Sequence, residues 1–198
     1  MHPCEAGLLF TCEHGGSRVP KHLEPLFVGQ SRRLASHRGW DPGALPIAQE
    51  MARSMRAPLI SSTTTRLLVD LNRSPENPRV FSDVTRSLAR DQRASLLSNY
   101  HAPHWIKVRE AIESTPGRTI HIAVHSFTPI LEGARRAFSI GLLYDPKRSP
   151  ETDFAASWQR ALRQRLGSSR VRRNSPYRGD SDGLTTALRK IYPAPRYL

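Results

Sequence analysis

A chain of 198 residues with 38% hydrophobic and 7% aromatic content builds one domain with a substantial core and is too short for two full ones. Its 30 Lys and Arg against 17 Asp and Glu give a formal charge of +13, which suits an acidic small molecule or loose adhesion to polyanions. Specific nucleic-acid binding is disfavoured: the clusters Arg135-Arg136 and Arg170, Arg172, Arg173 are short, and neither a helix-turn-helix pattern nor an aromatic-and-basic sheet signature occurs.

Gly7 to Cys12, GLLFTC, reads as a first buried strand ending in the polar turn Glu13, His14, Gly15 and Gly16. Pro42 to Met55 has helical spacing at Leu45, Ile47, Ala48 and Met51, with Asp41 as N-cap and Pro42 at the first helical position. Leu59 to Ser61 is a short second strand. Arg66 to Leu71 reads as a third, because Leu67, Leu68, Val69 and Leu71 suit a sheet interior covered on both faces, with Asn72 and Arg73 emerging at the tip. The proline-rich stretch from Ser74 to Asp83 is a candidate lid. A long helix is predicted from Asp91 to Ser114 with a break near Pro103. Thr119 to His125 and Phe138 to Tyr144 are further strands, and Thr152 to Leu166 is a helix with Phe154, Trp158, Ala161 and Leu162 on its inner stripe. Val171 to Leu198 is loop-rich, with a short helix around Gly183 to Ile191. Strands alternating with helices predict an α/β domain over 1–198, with a mostly parallel sheet and helices on both faces.

No apolar run approaches the roughly 18 residues that span a bilayer, and MHPCEAGLLFTCEHGG lacks a basic leader followed by a long apolar stretch, so a cytoplasmic protein is expected. Cys4 and Cys12 are too few and too poorly spaced for a zinc knuckle or a disulfide framework.

Three predicted strands end in reactive side chains: Glu13 and His14 after the first, Asn72 and Arg73 after the third, His125 and Ser126 after the fourth. A parallel sheet brings such tips to one edge, where ligands bind in open α/β folds. Two neutral imidazoles, His14 and His125, with His37, Asp41 or Glu13 as third ligand, make an open, water-bearing zinc site. Asp41 is most simply an N-cap, and Asp70 and Arg73 pair with each other in the plainest reading of that tip. The other histidines, His101 and His104 included, read as surface or structural, since Pro103 lies between that pair. A serine hydrolase is a weaker rival, because no G-x-S-x-G elbow exists and His125 and Ser126, being adjacent, point to opposite faces of a strand. CEHGGS lacks both the spacing and the lysine of a phosphate loop. A binding protein that reads an acidic ligand without turnover is the runner-up.

With CEHGG, HRGWDPGA, LLVDLNRS and IAVHSF in that order, the chain resembles the N-formylglutamate amidohydrolase family. The resemblance implies a three-layer α/β/α architecture around a mostly parallel mixed sheet, similar in fold to zinc carboxypeptidases. It implies hydrolysis of N-formylglutamate, or of a related small acidic N-acyl amino acid, to carboxylate and amino acid. The expected roles are His14, His37 and His125 as zinc ligands, Asn72, Arg73 and Ser126 as substrate-binding residues, and Glu13, Asp41 and Arg66 as catalytic groups, with Arg66 polarising the scissile carbonyl. The first motif is E-H-G-G where glutamate-specific deformylases have P-H-S-G. Similar sequences continue past a stretch like YPAPRYL into a strand bearing a glutamate general base; this sequence stops at Leu198, so the resemblance implies that the sequence is incomplete, that Glu13 or Asp41 acts as base, or that the protein is impaired.

Overall fold

Parallel pairing of β1 (Ala6–Cys12) with β2 (Leu59–Ser61) on one side and β3 (Arg118–Ala123) on the other sets the central sheet order β2-β1-β3. The structure is a computed structural model and describes residues 6–131, 133–167 and 170–198; Cys4 lies outside them. Residues 196–198 run parallel beside β3: His121 N donates to Leu198 O at 2.8 Å, and Leu198 N to Thr119 O at 2.9 Å. A short hairpin, β4 (Ile130–Leu131) and β5 (Ala134–Arg135), is antiparallel, whereas β6 (Ile140–Leu142) and β7 (Val171–Arg173) pair in parallel. The sheet content is thus mostly parallel, as predicted.

Alternation along β1 buries its two faces against different helices. Leu9 packs with Val108 and Ile112 of α4 (Ala102–Ser114) and with Leu184 and Leu188 of α6 (Leu184–Ile191). Phe10 and Cys12 face the other way, onto Ala44, Ala48 and Ala52 of α2 (Ala44–Met55). The alanine row lets α2 approach the sheet closely. Between β1 and α2 the chain makes a 3-10 turn (Lys21–Phe27) and the single-turn α1 (Ser31–Leu34). Among the described residues no helix is long and apolar enough to cross a membrane.

Four expectations are corrected. Arg66 to Leu71 is not a strand but a buried stretch of turns, with Leu67 and Leu68 in one apolar cluster and Val69 and Leu71 in another. Its backbone is satisfied without a ladder: Thr85 Oγ1 donates to Leu68 O at 2.9 Å, Trp105 Nε1 to Leu71 O at 2.8 Å, and Asp70 N to Val80 O at 2.8 Å. Asp41 does not cap α2, which starts at Ala44 after Gly43 at φ +81°; its side chain is turned to two histidines instead. The helix around Pro103 is not broken. α3 (Arg90–Leu96) passes through a π turn (Leu97–His101) into α4, the wider turn absorbing the hydrogen bond that Pro103 cannot donate. Finally, the buried row of α5 (Ser149–Leu166) is Glu151, Ala155 and Gln159, not Phe154, Trp158, Ala161 and Leu162. Burial of this polar row is offset by specific partners, Arg189 forking onto both Glu151 oxygens at 2.8 Å and Gln159 Nε2 donating to Val171 O at 3.1 Å.

Candidate functional site

β1 and β3 end side by side, tied by Val124 N donating to Thr11 O at 2.8 Å, so Glu13 and His14 emerge beside His125 and Ser126. The turn after β1 is pressed against the chain following β2: Gly15 N donates to Ser62 O at 2.9 Å, and a Cβ on Gly16 would stand 2.7 Å from Thr63 O. Only glycine fits there. Asp41 is drawn in by its own N–H, which donates to His14 O at 2.9 Å, and Arg66 arrives through its N–H to Gly39 O at 3.0 Å.

His14 and His125 lie with ring centroids 5.1 Å apart. Both turn Nδ1 toward Asp41 Oδ2, at 3.6 Å from His14 and 2.9 Å from His125. Both place Nε2 against another carboxylate: His14 on Asp70 Oδ1 at 2.7 Å, His125 beside Glu13 Oε2 at 3.1 Å. Asp70 is held by Arg66 Nη2 at 2.7 Å and by Asn72 N at 3.0 Å. Arg66 Nη1 lies 3.6 Å from Asp41 Oδ1, and Ser126 N donates to Asp41 Oδ2 at 3.3 Å. His37 lies at the margin, its Nε2 3.3 Å from Ser126 Oγ. Asn72 Oδ1 accepts from Leu184 N at 3.1 Å, which turns Nδ2 toward His125 Nε2 at 3.4 Å. Arg73 Nη1 donates to Asp182 O at 3.0 Å, and His101 Nε2 to Arg73 O at 2.8 Å.

The stretch 74–83 is clasped rather than free: Asp182 accepts from Ser74 Oγ and from Asn77 Nδ2, each at 2.7 Å, and Val80 is buried. A hinged lid does not fit such anchoring.

Charge explains the strength of this cluster. Burial alone would raise the Asp41 and Asp70 carboxyls, but the histidines around both, with Arg66 on Asp70, hold them well below the usual carboxylate range. Burial likewise opposes ionisation of Glu13, and His104 and His125 overcome it. Burial would push His125 down; the hydrogen bond to Asp41 and the neighbouring Glu13 carboxylate outweigh it and raise the imidazole to about 10. Burial first, then Glu13 and Asp41, push the free Cys12 thiol up to about 12.

Three carboxylates thus crowd two imidazoles, and His14 Nδ1 is buried without a hydrogen-bond partner. His14, Asp41 and His125 offer ligand atoms that all lie within 4.8 Å of one another. A tetrahedral zinc with bonds of about 2.0–2.1 Å needs donors about 3.3 Å apart, and the observed 2.9 and 3.6 Å straddle that spacing. The donor set therefore fits a metal ion, with Asp41, one of the three candidates for third ligand, in the group and His37, which the resemblance implied, outside it. Sequence reasoning overlooked Asp70 as the partner of His14 and His104 as a neighbour of Glu13; the D-x-N-R spacing signalled the first, and nothing in the sequence signalled the second.

Over residues 6–196 the sequence matches the family profile of N-formylglutamate amidohydrolase. The chain is similar to the crystal structure of gene product Atu2144 from Agrobacterium tumefaciens, with 28% sequence identity, a TM-score of 0.78, and coverage of 97% of this chain and 77% of that one. No curated protein matches it.

Proposed function

The chain belongs to the N-formylglutamate amidohydrolase family, and from that premise we propose that it is a metal-dependent hydrolase of N-formylglutamate or a related small N-acyl amino acid. The observation that carries this reading is the convergence of His14 Nδ1, Asp41 Oδ2 and His125 Nδ1, with the first buried and unpartnered. Two imidazoles and a carboxylate suit zinc, which when bound supplies an acidified water and a Lewis acid for the scissile carbonyl. A metal group at the strand ends of a parallel sheet with helices on both faces supports a zinc-carboxypeptidase-like fold.

The chain's own residues divide the remaining work. Asn72, beside His125, and the adjacent Arg73 take the substrate carboxylate, for which a neighbouring amide and a guanidinium fork are suited. Ser126 and His37 form the adjoining wall. Arg66 commits Nη2 to Asp70, and its side chain remains 27% exposed, so Nη1 is the donor we assign to the scissile carbonyl. Of the two carboxylates expected to take the proton of the attacking water, Glu13 has no exposed side-chain surface and lies behind His125. Asp41 is the remaining candidate, with Oδ2 facing the two Nδ1 atoms and Oδ1 3.6 Å from Arg66 Nη1.

Metal analysis of protein purified without added metal, coupled to formate release from N-formylglutamate and to amine release from a series of N-acyl amino acids, tests this reading. About one zinc per chain and turnover of at least one such substrate are expected. Absence of both a bound transition metal and any turnover overturns it.

A further inference from the structure

Glu13 carries a carboxylate with 0% side-chain exposure, and neither oxygen has a well-directed hydrogen bond. A buried charge of this kind costs several kcal/mol unless donors face it. Two imidazole nitrogens do: His125 Nε2 at 3.1 Å from Oε2, and His104 Nε2 at 3.5 Å from Oε1. His104 Nε2 is itself buried and without another partner. It interrupts an otherwise apolar row, since the buried residues of α4 are His104, Val108 and Ile112. The π turn before it and Pro103 set the phase in which this row meets β1.

The two ligand histidines are consequently backed alike. Arg66 holds Asp70, which holds His14 Nε2; His104 faces Glu13, which faces His125 Nε2. A carboxylate on the far nitrogen fixes both the tautomer and the tilt of a metal-binding imidazole.

We propose that His104 is a positioning residue for the metal centre: its Nε2–H holds Glu13, and Glu13 keeps His125 in the Nε2–H form that turns Nδ1 toward His14 and Asp41. This rests on the reading that His14, Asp41 and His125 bind a metal.

Three measurements test it. In zinc-loaded protein with 15N-labelled histidine, His104 and His125 are expected to carry a proton on Nε2. His104→Leu is expected to weaken zinc binding about 10- to 100-fold in chelator competition and to alter the visible spectrum of the cobalt-loaded protein. His104→Gln, which keeps a donor at that place, is expected to restore affinity to within about threefold of the parent and to return the cobalt spectrum. The proposal is overturned by an unprotonated His104 Nε2, by parental affinity in His104→Leu, or by a Gln variant no better than the Leu variant. Should His104→Leu fail to fold, the nitrogen spectrum of the parent protein decides. A parent protein that binds neither zinc nor cobalt overturns the metal reading itself and this proposal with it.

Discussion

Arg66 and Asp70, four residues apart on a buried segment that is neither helix nor strand, join through Nη2 and Oδ2 at 2.7 Å, and the other oxygen of Asp70 takes His14 Nε2 at the same distance. The guanidinium thereby acts at one remove on the imidazole that faces Asp41. Arg66 also screens Asp41 from Asp70, which is why two carboxylates tolerate such proximity.

Asp70→Asn keeps the shape and an acceptor for His14 but removes the charge. Zinc affinity is expected to fall about 10- to 100-fold. Chelator competition measures it, and unchanged affinity would sink the role given to Asp70.

Arg73→Lys is expected to raise KM for an N-acyl amino acid about tenfold or more while leaving zinc stoichiometry intact, because an ammonium group cannot reproduce the paired donors of a guanidinium. Steady-state kinetics with parallel metal analysis check both halves. Loss of metal, or an unchanged KM, contradicts the assignment.

A methyl group at Gly183 would stand 2.8 Å from Asn72 Oδ1. The backbone there is extended at φ 171°, so Gly183→Ala introduces no conformational strain and acts through Asn72 alone. We expect kcat/KM to fall about tenfold, roughly 1.4 kcal/mol of lost transition-state stabilisation, with the melting temperature little changed.

Without metal, stability should peak in a narrow pH window. The Glu13, Asp41 and Asp70 carboxyls sit below their ordinary values of 4.5, 3.8 and 3.8, so what they lend is present above about pH 5 and is lost as pH falls through the carboxylate range. His125 is raised from 6.5 to about 10, so its contribution is complete below 6.5 and disappears as pH climbs through 10. The buried His121 and His101 are lowered from 6.5 and lend stability that is lost as pH falls below that value, so melting temperatures in a chelator should be highest near pH 6.5. Zinc should flatten the alkaline decline, because it replaces the Nδ1 proton, and its affinity should rise with pH. A chelator-treated protein most stable near pH 9 would contradict this.

Leu68→Ala, at a side chain with 0% exposure packed among Phe27, Leu67 and Leu96, should cost about 2–5 kcal/mol in denaturant unfolding. The cavity opens two residues from Asp70, so metal affinity should fall with stability.

β1, α2, the tips at His14 and His125, and the parallel sheet were legible because hydrophobic periodicity and turn residues are local signals. The third strand was misread, since a run such as Leu67 to Leu71 reports burial and says nothing about what satisfies the backbone. Here the partners are Thr85, Trp105 and Val80, all distant in sequence. Asp41 preceding Pro42 carries a strong capping signal, and tertiary attraction to two imidazoles overrides it. His104 was illegible for another reason: its meaning depends on how a π turn phases α4 against β1, which no local pattern encodes.

Cys12 lies one residue from Glu13 and two from His14, where a thiolate would be a natural competitor for a borderline metal. Its side chain instead packs onto Ala44, Ala48 and Ala52 of α2, and burial there pushes the thiol up to about 12, so that without metal it keeps its proton at neutral pH. The candidate metal group is thus made of nitrogen and oxygen donors alone, and the enclosed, protonated sulfur beside it gives peroxides and alkylating agents little purchase.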